Sequence, residues 1–187
     1  MASGNLGWFE IPGVQSGARS IDEQLRGLDD VVAQIEGKSV LDLGCAEGMI
    51  IRHMKQHGAG RCAAYEGNPD LYRAANEFLS PMGCDVVFAD LNEPQGFKRE
   101  WDVVLCLAIL HKLKDPQKSL HEFAAVCRDL LVIRLPIGSD GVIAWKHGKH
   151  MTCDTREVLS NLGFILQADE EGPRTERVHI WRRIPAA

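Results

Sequence analysis

Among its 187 residues the sequence has no long apolar run, no paired C-x-x-C cysteines, no internal repeat and no excess of positive charge. Each absence excludes something. The longest apolar run, "VVLCLAIL" from Val103 to Leu110, is of strand length and far short of a membrane span, so no membrane partner is expected. A net charge of -5 argues against a protein that grips nucleic acid through bulk electrostatics, although a local basic patch is compatible with it. The start, "MASGNLGWFE", lacks a basic segment followed by an apolar core, so no secretory signal is expected there. The six cysteines (Cys45, Cys62, Cys84, Cys106, Cys127 and Cys153) are scattered, several within apolar runs. They read as reduced, buried small hydrophobes of a cytoplasmic protein. Low-complexity tracts and signs of a second domain are also missing.

What is present is a globular composition, 45% apolar and 25% charged, with length enough for one domain with a full core. Residues 1–37 form an arm and a helix. "WFEIPGVQSG" reads as irregular. In "RSIDEQLRGLDDVVAQIEG", Ile21, Leu25, Leu28, Val32 and Ile35 recur at helical spacing. Ser20 and Glu23 make a capping box, and Gly37 ends the helix. From residue 38 to 183 strands and helices alternate. The strands are "SVLDLG", "RCAAYEG", "CDVVFAD", "WDVVLCLAIL" and "DLLVIRL". Asn68, Asp115 and Asp154 are placed to cap helices, with Pro69 and Pro116 in first turns. Residues 93–100, "EPQGFKRE", are a short helix or a loop. "FILQAD" and "RVHIWRR" lie too close for a helical crossover and predict an antiparallel hairpin. The expected fold is α/β: a Rossmann-like, doubly wound, mostly parallel seven-stranded sheet with that hairpin and an extra N-terminal helix.

In such a sheet the ligand sits outside the carboxyl ends of the strands, where the strand order reverses. Three acids stand at successive strand ends. Asp42 interrupts a buried run and precedes Gly44-Cys45-Ala46-Glu47-Gly48, a turn whose glycines allow close backbone approach, as a purely structural turn also would. Asp42 is placed to accept the N–H groups of that turn and to face the cationic end of a ligand. Glu66 is placed to accept both hydroxyls of a ribose bound across the turn, or is a solvated loop acid. Asp90 is placed to accept from an adenine amine, with Leu91 covering the ring, or is a helix cap.

These stretches, "VLDLGCAEG", "AYEGN", "VVFADL" and "WDVVLCLAILHKLKDP", resemble the successive motifs of class I S-adenosylmethionine-dependent methyltransferases. The resemblance spans residues 38–183 and implies S-adenosylmethionine as cofactor. By position it assigns Asp42, Gly44, Cys45, Ala46 and Gly48 to the methionine-cradling turn. Glu66, with Gly67 and Asn68, falls on the ribose, and Asp90 and Leu91 on the adenine. Cys106, Leu107 and Ala108 form the strand end facing the methyl group. Ala46 stands where many members carry glycine. A nicotinamide dehydrogenase would prefer G-x-G-x-x-G, which Gly44-x-x-x-Gly48 does not supply. The segment "WFEIPGVQSGARSIDEQLRGLDDVVAQIEGKSVLDLGC" resembles the lead-in of tRNA wobble-uridine (carboxy)methyltransferase-like proteins. This chain lacks their extra length and basic surface, so their substrate is not carried over.

Methyl transfer from a sulfonium needs alignment more than a dedicated base. His111, after the fourth strand, is the candidate base or orienting group, or else a packing histidine. Residues 136–155 are a long loop in which Trp145, Lys146, His147, Lys149 and His150 suit an anionic acceptor, or a solvated insertion. His147, His150 and Cys153 lack a fourth partner, so no metal is expected. Trp8, Phe9 and Arg19 are placed for a lid over the cofactor or for packing. The expected activity is methyl transfer to an O or N nucleophile of a small molecule. RNA or protein acceptors, and a catalytically silent S-adenosylmethionine-binding module, are the alternatives.

Overall fold

The computed structural model describes residues 7–9, 17–136 and 153–185. Strands β1 (Gly7–Phe9) and β2 (Gly17–Arg19) pair in parallel, so part of the arm read as irregular is a short ladder. The chain then forms α1 (Ile21–Leu25), α2 (Asp29–Val32), β3 (Val40–Leu43), α3 (Met49–Gln56), β4 (Cys62–Glu66), α4 (Pro69–Leu79) and β5 (Asp85–Phe88). It continues through β6 (Trp101–Leu107), α5 (Pro116–Ala125), β7 (Cys127–Pro136), α6 (Thr155–Asn161), β8 (Phe164–Glu171) and β9 (Glu176–Arg183). Residues 93–100 form no helix.

Strands β3 to β9 make one seven-stranded sheet in the order β5-β4-β3-β6-β7-β9-β8. The first five in sequence are parallel, and β9 inserts antiparallel between β7 and β8. Alternate residues of each strand feed opposite faces, as the pleat requires. Val40, Val103, Leu105 and Val132 pack beneath α1 to α4, whereas Leu41, Leu43, Val104 and Ile133 pack against α5 and α6. Asp42 falls on the first of these faces.

The cap residues behave as their chemistry requires. Asn68 accepts from the N–H groups of Asp70 and Leu71, Asp115 from Lys118, and Asp154 from Arg156 and Glu157. All six cysteines are free and buried.

The N-terminal helix differs from expectation. It is broken in two at Gly27, whose φ is +79°, and a Cβ there would lie 2.8 Å from the Glu171 carbonyl oxygen. The break lets the chain press onto the β8–β9 hairpin, and it rephases the apolar positions. Val31, not Val32, is the fully buried one beside Leu28 and Ile35. Ser20 accepts the Glu23 N–H at 3.1 Å, but the Glu23 carboxylate turns to Arg174 Nε, at 3.3 Å, and does not complete the box. Among the described residues no helix is long and apolar enough to cross a membrane.

Candidate active site

Strand order reverses between β3 and β6, and a cleft of about 230 Å³ opens at their carboxyl ends. Its floor is Asp42, Gly44, Cys45 and Ala46; Glu66 stands on one side and Leu107 and Ala108 on the other.

The glycine turn is built from left-handed backbone. Gly44, Ala46 and Gly48 have φ values of +78°, +50° and +80°. An alanine in that region costs about 1 kcal/mol or more, which explains why the resemblance favours glycine at position 46. The turn is tied to the end of β4. Gly44 N and Cys45 N donate to the Tyr65 carbonyl at 2.8 and 3.1 Å, and Ala46 N donates to Glu66 Oε2 at 2.9 Å. The expectation that Asp42 accepts the turn's N–H groups is therefore corrected: the end of β4 takes them. Gly48 is packed against α4, where a Cβ would come 2.7 Å from Leu79 Cδ1. Gly48→Ala combines a strained φ with overpacking and should cost about 2–4 kcal/mol of stability, read from urea unfolding. A loss below about 0.5 kcal/mol would show that the turn tolerates a side chain there.

Glu66 is 9% exposed. Its Oε2 accepts Ala46 N, and its Oε1 accepts Asn68 N at 2.8 Å. Each carboxylate oxygen keeps a further lone pair, so the residue retains capacity for two hydroxyl donors from the cleft. Gly67 lets β4 and β5 end close together, because a Cβ would lie 3.1 Å from the Ala89 carbonyl oxygen. Asp90 stands on the neighbouring strand end but outside the cleft lining, and it is exposed. Its Oδ1 accepts both the backbone and side-chain N–H of Asn92, at 2.9 and 2.8 Å, which holds its carboxyl below the usual range. It closes a local turn and caps no helix. Leu91 is buried in the core cluster on the α5–α6 face and is not among the residues lining the cleft. Gly48 and Gly67 likewise support the wall from behind.

Asp42 is 3% exposed. Burial raises its carboxyl to about 7, against the pull of the Arg134 guanidinium and with a further push from Glu66. Arg134, on β7 and 2% exposed, is the residue the sequence reading missed. It donates from Nη1 to the Gln24 carbonyl at 2.8 Å and from Nη2 to Gln24 Oε1 at 3.2 Å. Its Nε lies 3.5 Å from Glu176 Oε2, and Arg19 Nη2 lies 3.4 Å from Glu176 Oε1. Burial lowers Arg134 to about 10. The available signal was a charge inside the apolar run "LLVIRL", the same anomaly that marked Asp42. Arg19, Gln24 and Lys112 line the cleft with Arg134, and burial is the main influence lowering the Lys112 ammonium.

His111 lies in the 3-10 turn Leu110–Lys112. Its neighbours Ile109 and Lys112 line the cleft, and His111 does not. Cys106 is buried on the opposite face of the sheet, while Cys45 lines the cleft with its thiol pushed well up by burial. Trp145, Lys146, His147, Lys149 and His150 lie outside the described residues, as does the side-chain placement of Trp8 and Phe9. Among the described residues no group of three or more His, Cys, Asp or Glu converges as a metal site.

The family described as "Methyltransferase domain" matches residues 19–160. Among curated proteins, the ubiquinone biosynthesis O-methyltransferase of Erwinia tasmaniensis is 31% identical over 94 residues, covering 49% of this chain and 39% of that protein. The one of Saccharophagus degradans is 26% identical over 126 residues, covering 66% and 52%. The chain thus spans about half, or less, of the length of these relatives. Magnesium protoporphyrin IX methyltransferase from Synechocystis PCC 6803, solved with bound S-adenosylmethionine, superposes with a TM-score of 0.66 at 18% identity, over 84% of this chain and 78% of that one. The putative methyltransferase in complex with the Trm112 activator of Haloferax volcanii gives 0.68 at 14% identity, over 89% and 92%. At such identities the structural likeness speaks for the fold.

Proposed function

The chain belongs to the methyltransferase-domain family, and from that premise we propose that it methylates an oxygen or nitrogen of a small-molecule acceptor in the cleft between β3 and β6. It is an S-adenosylmethionine-dependent methyltransferase of Rossmann-like fold. The observation that carries the placement is the pairing of the glycine turn with Glu66 at the point where strand order reverses.

The residues present fit the cofactor. Glu66 offers carboxylate lone pairs for ribose hydroxyls. The left-handed turn at Gly44 leaves open backbone where a Cβ would come 3.0 Å from Ile109. Asp42 offers a negative charge to a cationic end. When bound, S-adenosylmethionine supplies a methyl group already activated by its sulfonium. The chain's own work is then to hold donor and acceptor in line and exclude water, with Leu107, Ala108 and Ile109 as an apolar wall. A proton-accepting residue is needed only for an acceptor that must lose a proton before attack. The curated relatives are named as O-methyltransferases, which favours oxygen as the nucleophile.

Calorimetric titration with S-adenosylmethionine and S-adenosylhomocysteine tests the reading, and no binding at several hundred micromolar would defeat it. Screening fractionated lysate with radiolabelled cofactor then identifies the acceptor.

The charge on Asp42 gives this binding a pH dependence. Its carboxyl titrates at about 7, raised by burial. Only the ionised form attracts a cation, so a ligand arriving below that pH must first expel a proton. Cofactor affinity should be flat above about pH 8 and fall below about pH 7, approaching tenfold per pH unit. Titration from about pH 5.5 to 8.5 reads this directly, and an affinity that does not change would remove Asp42 from the cationic end.

A further inference from the structure

Two of the six cysteines meet across neighbouring strands. In the β4–β5 ladder Ala63 stands opposite Asp85, so Cys62 and Cys84, one residue earlier in each segment, stand opposite one another. Their side chains enter the same core cluster, with Ala64 and Val86 two positions on, as the pleat requires. The Cys62 thiol donates a hydrogen bond to the Cys84 sulfur. The methyltransferase reading uses neither residue. We propose that Cys62 and Cys84 are a modification site: a dithiol that a peroxide closes to a disulfide and a free thiol reopens.

Opposed residues on adjacent strands have Cα atoms about 4.8 Å apart. That lies inside the range of about 4.4–6.8 Å that a disulfide spans, but short of its usual value. The bond therefore forms without moving the backbone and stays easily reduced. Access is one-sided. Cys62 is 0% exposed and Cys84 is 4% exposed. Cys84 follows Gly83, an exposed residue with open space where a Cβ would be, and precedes the exposed Asp85. Charge favours the same sulfur. Cys84 is the one cysteine of the six whose thiol is held below its ordinary value. The hydrogen bond from Cys62 is the main cause, against burial; the Lys55 ammonium adds to it and the Asp85 carboxylate opposes it. The same hydrogen bond, then burial, push the Cys62 thiol well up. The thiolate is the nucleophile, so Cys84 attacks and Cys62 resolves. The Cys84 thiolate attacks one oxygen of hydrogen peroxide, the O–O bond breaks, and the departing hydroxide takes up the proton that Cys84 released. The Cys62 sulfur then displaces hydroxide from the Cys84 sulfenic acid, and the Cys62 proton leaves with it as water. Both sulfurs are oxidised, and one peroxide becomes two waters. Two molecules of glutathione reverse the step and leave as glutathione disulfide. The closed ring runs from residue 62 to 84, so it ties the strand that carries Glu66, and all of α4, to β5.

The test treats the folded whole protein with a few equivalents of hydrogen peroxide, blocks the remaining thiols and digests with trypsin. Cleavage after Arg61, Arg73 and Lys98 puts Cys62 and Cys84 on separate peptides, 62–73 and 74–98. Mass spectrometry should find these two joined, lighter than their sum by two hydrogens, and parted again when glutathione is added before blocking. Cys106 and Cys127, which stand opposite Ile133 and Trp101 in the β6–β7 ladder, should stay reduced. Cys62→Ser should stop at the Cys84 sulfenic acid, captured by dimedone. Cys84→Ser should leave Cys62 at least about tenfold less reactive than Cys84 is in Cys62→Ser. No joined peptide from the folded protein, joining seen only in urea, or Cys106 and Cys127 oxidised as fast, overturns the proposal. Equal dimedone capture at Cys62 in Cys84→Ser overturns the order of attack. The wild-type map needs no variant, so it decides the pairing even where a serine variant does not fold. Cofactor binding enters none of these arms, so their failure is separate from failure of the methyltransferase reading.

Discussion

Glu66→Ala should weaken S-adenosylhomocysteine binding by about a hundredfold, near 2.7 kcal/mol. The size follows from two roles in one carboxylate. Facing the cleft, it has lone pairs for ribose hydroxyls, and hydrogen bonds to charged groups are worth about 1.5–3 kcal/mol. Facing the protein, it holds Ala46 N at 2.9 Å and Asn68 N at 2.8 Å. It thereby fixes both the glycine turn and the entry to α4. The alanine variant loses the ligand's acceptor and loosens the turn that shapes the site. Glu66→Gln should be nearly as damaging, despite its shape. Two backbone N–H groups converge on the two oxygens, so either amide orientation sets an NH₂ against an N–H. Calorimetric titration and a thermal melt read the two roles separately. Unchanged affinity in Glu66→Ala would remove Glu66 from the binding site.

Arg134→Met should cost about 3–5 kcal/mol of folding stability, a large part of the 5–15 kcal/mol typical of a domain. Removing the guanidinium leaves Glu176 with one arginine instead of two, strips two donors from Gln24, and takes from Asp42 the charge that opposes its protonation. Gln24 and Asp42 are buried and Glu176 is half-buried, and a group that loses its compensation there is costlier than one that never had it. Arg134→Lys should recover only part, because an ammonium cannot present the same fork to Gln24 and Glu176 together. Pairing Arg134→Met with Glu176→Gln should return some of the loss, since it removes a carboxylate that has lost one of its two arginines. Urea unfolding of the set measures this. A single-variant loss below about 1 kcal/mol would mean that the cluster is solvated in solution.

How much of this was legible beforehand differs residue by residue. The strands could be read from apolar runs of strand length, and the caps at Asn68, Asp115 and Asp154 from local side-chain chemistry. The turn at Gly44 to Gly48 and the acid at Glu66 were visible for the same reason, because each lies within a few residues of the strand end it serves. The single helix expected over residues 21–35 fails at Gly27. The clash that demands glycine there comes from Glu171 and Val178, more than a hundred residues downstream. Leu91 follows the same logic. Nothing local in "ADLN" shows that it packs in the core cluster with Trp101 and Phe123.

The sequence by itself determined the fold class and the positions of the strand-end acids, because hydrophobic period, turn glycines and cap residues act over short spans of chain. Only the tertiary structure decided what Asp42 faces and what the far wall is made of. Gln24, Arg134 and Glu176 meet because β9 inserts beside β7 and α1 folds over both. Strand order and register, set by burial of the whole sheet, place those three side chains within hydrogen-bonding range. No local pattern carries that information, since partners 110 residues apart have no spacing to read.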